Sequence, residues 1–363
     1  MSGPRVALDT TVAALDLAGT GRYIQSLEAA LCPILGERLV SIRSRFATPH
    51  AGPRTPGAMA RTLVRDLWWH QTGVERAARR AGADILHLPA ALGPVRGRRP
   101  SVVTIHDLRV LHAPQEFRVW FRHYARVVIP RLARRADRVI TVSETTRQDV
   151  IEYLKLPEDR VVTVPNGVTL SGHPSALREY HLPSRYVLAV GTLEPRKNLV
   201  RLFDAVRLLA ERPGTRDIAL VHAGGYGWLA REIVRAARTP ALQGRVRLLG
   251  RVTQEDLAGL YGHARLLAYP SLAEGFGLPV LEAMASGCPV VTSDRSSLPE
   301  VAGDAAVFVD PESVEAIVEG IRRVWEDDVL AADLTARGRA RARLFSWQRA
   351  ARLTADVYAS VPR

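Results

Sequence analysis

Lysine is almost missing from this chain. Of its 363 residues 50 are Lys or Arg, yet the only lysines are Lys155 and Lys197. Together with abundant Ala, Gly and Pro, this bias reads as the imprint of a GC-rich genome and not as selection for phosphate binding. A lysine that persists against it wants a reason. Cysteine is equally scarce: Cys32 and Cys288 stand far apart without nearby histidines, which excludes a disulfide framework and gives no zinc spacing. Both read as small core residues. Aromatics make up 6% of the chain, and there is no zinc-finger spacing or aromatic RNA-binding signature, so nucleic acid is not expected as a partner despite a net charge of +13. No uncharged apolar run reaches the roughly 18 residues that a spanning helix needs. The stretch Met1–Asp9 passes straight into strand-like sequence, without the apolar core and cleavage site of a secretory signal. A cytoplasmic location is the expectation.

What is present points to a two-domain α/β protein. The length exceeds what one hydrophobic core usually organises, and 47% hydrophobic with 24% charged residues is a globular composition. Short β-branched runs alternate with helical patterns throughout, the signature of βαβ units and parallel sheets. Strands are expected at Val6–Asp9, Leu39–Arg43, Ile85–Leu88, Ser101–Ile105 and Arg138–Val142, then at Tyr186–Val190, Ile218–Ala223, Val246–Leu249, Leu266–Tyr269, Pro289–Thr292 and Ala306–Val309. Turn-rich sequence at Val164–Val168 and Ser171–Ser175 separates the two series and sets the boundary near residue 170. The expected domains are therefore 1–170 and 171–345, followed by an amphipathic helix in 346–363 that packs back on the first domain. Residues 49–57, rich in Pro and Gly, read as a mobile loop. The first 170 residues hold 25 Lys+Arg against 15 Asp+Glu, so the positive charge is concentrated there.

The segment from Pro270 to Val291 carries the most information. A strand ends at Tyr269, Gly275 and Gly277 follow in a loop, and Pro279 suits the first turn of a helix, where its missing N–H costs nothing. A helix over Leu278–Ser286 is predicted. Glycines before a helix N-terminus let backbone amides approach a phosphate while the helix dipole favours its charge, so this is a diphosphate cradle. Glu274 in the loop and Glu282 one turn into the helix meet different parts of one extended ligand. As a glycosidase acid/base pair they would have to face each other at roughly 5–9.5 Å, whereas eight residues of regular helix span about 12 Å. Gly19-Thr-Gly21, between the first strand and a helix expected near Arg22, has the pattern of an anion-binding turn, although Ile24 breaks the dinucleotide fingerprint. His106 follows the strand Ser101–Ile105 and so lies at a carboxyl strand edge, where open α/β sheets bind ligands. Asp107 reads as structural, accepting from loop backbone donors.

The Glu274–Glu282 segment resembles the E-x7-E signature of glycosyltransferase family 4, retaining enzymes of the GT-B fold with two facing Rossmann-like domains. Further matches occur in the family's order: Thr104–Leu108, Thr141–Glu144, Val164–Val168, Gly191–Asn198, Leu249–Val252 and Phe345–Trp347. Each is weak alone, but the set spans nearly the whole chain. The resemblance implies that Glu274 contacts donor-sugar hydroxyls, that backbone amides at Phe276, Gly277 and Leu278 hold the sugar and diphosphate, and that Glu282 binds the ribose. It implies that Arg196 and Lys197 bind the leaving diphosphate and that His106 lies beside the reacting sugar, so that His106, Glu274, Arg196 and Lys197 form the catalytic set. Gly19, Gly21, Gly191, Gly250, Arg251 and Val252 complete the implied donor site. No Asp-x-Asp occurs, so neither metal nor cofactor is expected, and the nucleotide sugar is a co-substrate.

The resulting expectation is retaining transfer of a hexose from a nucleotide diphosphate sugar to a hydroxyl of a glycan, a lipid-linked acceptor or a small molecule. The form of Gly191–Asn198 resembles bacterial mannosyltransferases of polysaccharide biosynthesis and tilts the donor towards guanosine diphosphate mannose. Three alternatives remain open: a phosphorylase or epimerase of the same architecture, a nicotinamide-dependent oxidoreductase, and a non-catalytic binding protein. Arg118, Arg122 and Arg126 recur every four residues beside Trp120, Phe121, Tyr124 and Val128. That pattern suits a helix lying peripherally on the inner face of the plasma membrane, and equally a buried helix with a solvated arginine stripe.

Overall fold

The computed structural model describes all residues except 1–2, 16–17, 46, 48–64, 118, 170–176, 228 and 363. The loop at 49–57, the Ser171–Ser175 part of the linker and Arg118 therefore lie outside the described residues. The chain divides into two compact units, Met1–Gly167 together with Ser346–Arg363, and Val168–Phe345.

In the first unit six parallel strands, β1 (Val6–Asp9), β2 (Leu39–Ile42), β3 (Ile85–Leu88), β4 (Ser101–Ile105), β5 (Arg138–Thr141) and β6 (Val161–Thr163), lie in the order β2-β1-β3-β4-β5-β6. β1, β3 and β4 are buried along their whole length, which is why they read as apolar runs without alternation. Leu86, Leu88, Val103, Ile105, Leu132 and Val139 are among the residues of the core. The short β6 was not expected. Its three residues run directly into the turn-rich Val164–Val168 and are too few to show a pattern.

The helix after β1 corrects an expectation. It begins at Ala18, not near Arg22, and extends to Leu35, so Gly19 and Gly21 occupy its first turn and not a preceding loop. Glycine disfavours helix by about 1 kcal/mol per residue. The buried Tyr23, Ile24, Leu27 and Leu31 fix the helix by packing, and it propagates back through the glycines. At the other end of the chain the Ser346 hydroxyl accepts from the Arg349 amide at 3.2 Å and caps the helix Trp347–Ala359. That helix buries Trp347, Ala350, Ala351, Thr354, Val357 and Tyr358, one stripe at helical spacing, and packs beside the helix Ala18–Leu35. On the helix Val119–Arg135, Arg126 is exposed, Arg122 is half-buried and Val128 is buried, so the described arginines are not equally solvated.

The second unit repeats the plan with β7 (Val187–Val190), β8 (Leu220–Ala223), β9 (Val246–Gly250), β10 (Leu266–Tyr269), β11 (Val290–Ser293) and β12 (Val307–Val309), all parallel, in the order β12-β11-β10-β7-β8-β9. Its core joins Leu202, Phe203, Val206 and Leu209 of the helix Leu199–Ala210 to Ile317, Ile321, Val324 and Trp325 of the helix Val314–Glu326. In each sheet the strand order reverses once, between β1 and β3 and between β7 and β10. Ligands of open α/β sheets bind outside the carboxyl ends of the strands at such a reversal.

Candidate functional site

At the reversal point of the second unit, β7 delivers the segment from Gly191 to Asn198 and β10 delivers Pro270 to Gly277. Asn198 locks the two together. It adopts a left-handed conformation with φ +57°, and its side-chain amide donates to the Pro270 carbonyl at 3.0 Å and the Pro311 carbonyl at 2.6 Å. The Leu272 amide donates to the Arg196 carbonyl at 3.0 Å. These bonds bring Arg196 and Lys197 against Glu274, 78 and 77 residues away in sequence.

The Glu274 carboxylate is the centre of the cluster and is only 8% exposed. Lys197 Nζ lies 2.6 Å from Oε1, the Tyr269 hydroxyl donates to the same oxygen at 2.8 Å, and the Arg196 guanidinium pairs with Oε2. Arg196 also pairs with Glu194 at 2.8 Å. The backbone of Glu274 is pinned as well: its carbonyl accepts from the Ser296 and Ser297 hydroxyls at 2.6 and 2.9 Å, and its amide donates to Ser296 Oγ at 3.2 Å. Burial alone would raise the carboxyl's pKa, but the two cations and the hydrogen bonds outweigh it and hold the group at about 2. Burial pushes the Lys197 ammonium down, and Glu274 opposes that shift.

The helix Leu278–Ser286 has the predicted bounds. Pro279 is its second residue, still within the first turn. Gly277 caps the helix at φ +98°, ψ +47°, and a Cβ there would lie 2.6 Å from the Leu298 side chain, so only glycine fits without strain. The Phe276 side chain is buried and packs edge-on against Phe345, with centroids 5.9 Å apart. What the segment can offer a ligand is therefore backbone. Glu282 accepts from the Tyr261 hydroxyl at 3.1 Å.

Gly191 follows β7 at φ +134°, and Gly250 ends β9 at φ +74°. Arg251 is exposed and Val252 half-buried just after β9. Among the residues that sequence reasoning missed are Tyr269, which touches both Glu274 and Lys197, and Gly224, where a Cβ would lie 1.9 Å from the Gly191 carbonyl oxygen. Tyr269 carried a readable signal, a phenol at the carboxyl end of a buried strand immediately before the loop. Gly224 carried none, because its need for glycine comes from a strand neighbour and not from local sequence.

In the first unit His106 stands just past β4. Its Nε2 lies 2.9 Å from the Pro89 carbonyl, which can only accept, so Nε2 carries the proton and Nδ1 presents a lone pair. Burial lowers its pKa and keeps the ring neutral at pH 7. Asp107 accepts from the Arg109 amide at 3.0 Å, a loop-closing role. Among the described residues nothing lies within 4 Å of where a Cβ on Gly19 would stand. Among the described residues no cluster of three or more His, Cys, Asp or Glu side chains is arranged to hold a metal, and no helix is long and apolar enough to cross a membrane.

Sequence comparison bears on this geometry. The model of glycosyl transferases group 1 matches residues 179–341, and that of glycosyltransferase family 4 matches residues 30–172. The O-antigen chain mannosyltransferase B of Escherichia coli is 36% identical over 282 residues, covering 76% of this chain and 74% of that one. The chain belongs to glycosyltransferase family 4. This glycosyltransferase is also 33% identical over 235 residues to the serotype-specific mannosyltransferase WbdA of Escherichia coli, covering 62% of this chain and 29% of that one. Its fold is GT-B. A sucrose-phosphate synthase from Thermosynechococcus elongatus superposes with a TM-score of 0.75 at 20% identity, covering 97% and 98% of the two chains. Anabaena HepE in complex with UDP and glucose gives 0.76 at 19% identity, covering 99% and 100%.

Proposed function

We propose that this glycosyltransferase moves mannose, from guanosine diphosphate mannose, to a hydroxyl of a growing polysaccharide or its lipid-linked precursor, with retention of configuration and without a metal. The observation that carries the reading is the Glu274 carboxylate held between Arg196 and Lys197 at the reversal point of the second sheet. Mannose is favoured because the relatives at 36% and 33% identity are mannosyltransferases.

Glu274 pairs with the two cations that an incoming diphosphate would meet. The diphosphate takes over Arg196 and Lys197, and the released carboxylate turns to the sugar hydroxyls. As charge builds on the departing nucleotide, the two cations favour the transition state over the ground state. The amides of Gly277 and Leu278 cradle the diphosphate, Glu282 takes the ribose, and Gly191, Gly250, Arg251 and Val252 line the rest of the nucleotide path. The family resemblance assigns His106, whose imidazole is kept neutral by burial, to the transfer step. No protein nucleophile is needed if the leaving phosphate oxygen accepts the acceptor's proton on the same face.

A thermal-shift panel of nucleotides and nucleotide sugars tests the donor. A ligand at 100 times its dissociation constant stabilises by about 2.7 kcal/mol, and guanosine diphosphate mannose is expected to shift melting most. Lys197→Ala is expected to lower transfer at least a hundredfold while the protein stays folded, an order of magnitude typical for loss of one transition-state charge contact. Turnover near wild type in this variant, or a panel with no shift at all, overturns the assignment.

A further inference from the structure

We propose that Tyr23 is the positioning residue for His106, and that its own place is set from the chain's last helix through a buried run of hydrogen bonds from Tyr358 to His87 to Thr104. The inference rests on the reading of His106 given above.

The Tyr23 ring meets the His106 imidazole edge-on, with centroids 4.7 Å apart and planes at 86°, and on another side meets Trp347 at 5.9 Å. The Tyr23 hydroxyl lies 3.2 Å from Thr104 Oγ1, which lies 2.9 Å from His87 Nε2. His87 Nδ1 in turn lies 2.7 Å from the Tyr358 hydroxyl. Tyr23, His87, Thr104 and Tyr358 are all buried. Burial, reinforced by His106, pushes the His87 imidazole down to about 3, so the ring is neutral. A neutral imidazole donates from one nitrogen and accepts at the other. Whichever direction Tyr358 selects, the Thr104 hydroxyl takes the matching sense, and Tyr23 is left with one consistent partner.

His106 therefore has two constraints of different kinds. The Pro89 carbonyl fixes its proton on Nε2, and the Tyr23 ring holds the plane of the imidazole. Thr104 lies two residues before His106 on β4, so the strand that delivers the histidine also anchors the tyrosine that packs on it. Polar groups without access to water specify one arrangement when every member is satisfied. The four side chains come from the first helix, two neighbouring strands and the terminal helix, an investment that packing alone would not need.

The test uses Thr104→Val, nearly isosteric but without the hydroxyl, Thr104→Ser, which keeps it, and Tyr358→Phe. Turnover, the donor KM and the ring resonances of His106 are measured in the whole protein, the resonances being assigned against His106→Ala. Thr104→Val and Tyr358→Phe are expected to lower kcat about tenfold, the scale of a small misplacement, with the donor KM unchanged and the His106 resonances shifted. Thr104→Ser is expected to restore both. Unchanged His106 resonances in Thr104→Val and Tyr358→Phe overturn the positioning role. Turnover near wild type by His106→Ala overturns the catalytic reading of that residue instead, so the two failures are separate.

Discussion

Glu274 is a carboxylate with two opposite cationic neighbours and a phenol, and its acid–base behaviour follows from that company. Its folded pKa of about 2 lies below the ordinary 4.5, so the stabilisation from its ionised form is fully present above about pH 4.5 and is lost as the pH falls towards 2. Glu274→Gln has no such titration. Chemical denaturation of the two proteins across that window is therefore expected to show the wild type losing ground to the variant as the medium becomes more acidic. A gap independent of pH would mean that the carboxylate is not held by charge. Glycines and Pro279 framed Glu274 in the sequence, while Arg196 and Lys197 were named by the family resemblance, with the scarcity of lysine in mild support of the second. The sequence did not show that all three meet, since that contact joins positions 77 and 78 residues apart.

Several elements around the site were legible where the chain is buried on both faces, although the fully buried β8 begins at Leu220 and not at the expected Ile218. β1, β3, β4 and β10 have the bounds expected from their apolar runs, while β6 escaped because three residues before a turn carry no period. The helix Ala18–Leu35 was read too short, since local propensity at Gly19 and Gly21 yielded to packing further along. That correction yields a clean experiment. Since among the described residues nothing lies within 4 Å of a Cβ on Gly19, Gly19→Ala is expected to leave stability unchanged or raise it by up to about 1 kcal/mol. If the first turn presents its backbone to a ligand, the added methyl lowers transfer in the same variant. Full activity with unchanged melting would show that no ligand approaches Gly19.

At the scale of the molecule, the first unit is built from both ends of the chain and the second from the middle. A chain ending at Phe345 lacks Trp347, Tyr358 and the rest of the stripe that covers the helix Ala18–Leu35. Calorimetry of that truncation is expected to show the transition of the first unit lost or markedly lowered and that of the second retained, since the second keeps its whole core. A single transition at the original temperature would sink this reading. The contribution of the last helix was legible only as amphipathic spacing. Its tie to His87 depends on a hydrogen bond spanning 271 residues.

The same arrangement fixes an order of events during synthesis. The first unit leaves the ribosome first, but its stripe from Trp347 to Tyr358 is made only after the whole of the second unit has been translated. At about 5–20 residues per second that delay is on the order of ten seconds or more. Throughout it, the face of the first helix that receives the last one is uncovered and Tyr23 lacks Trp347 beside it. Of the two units the one begun first is thus completed last, and the second can mature before it is finished.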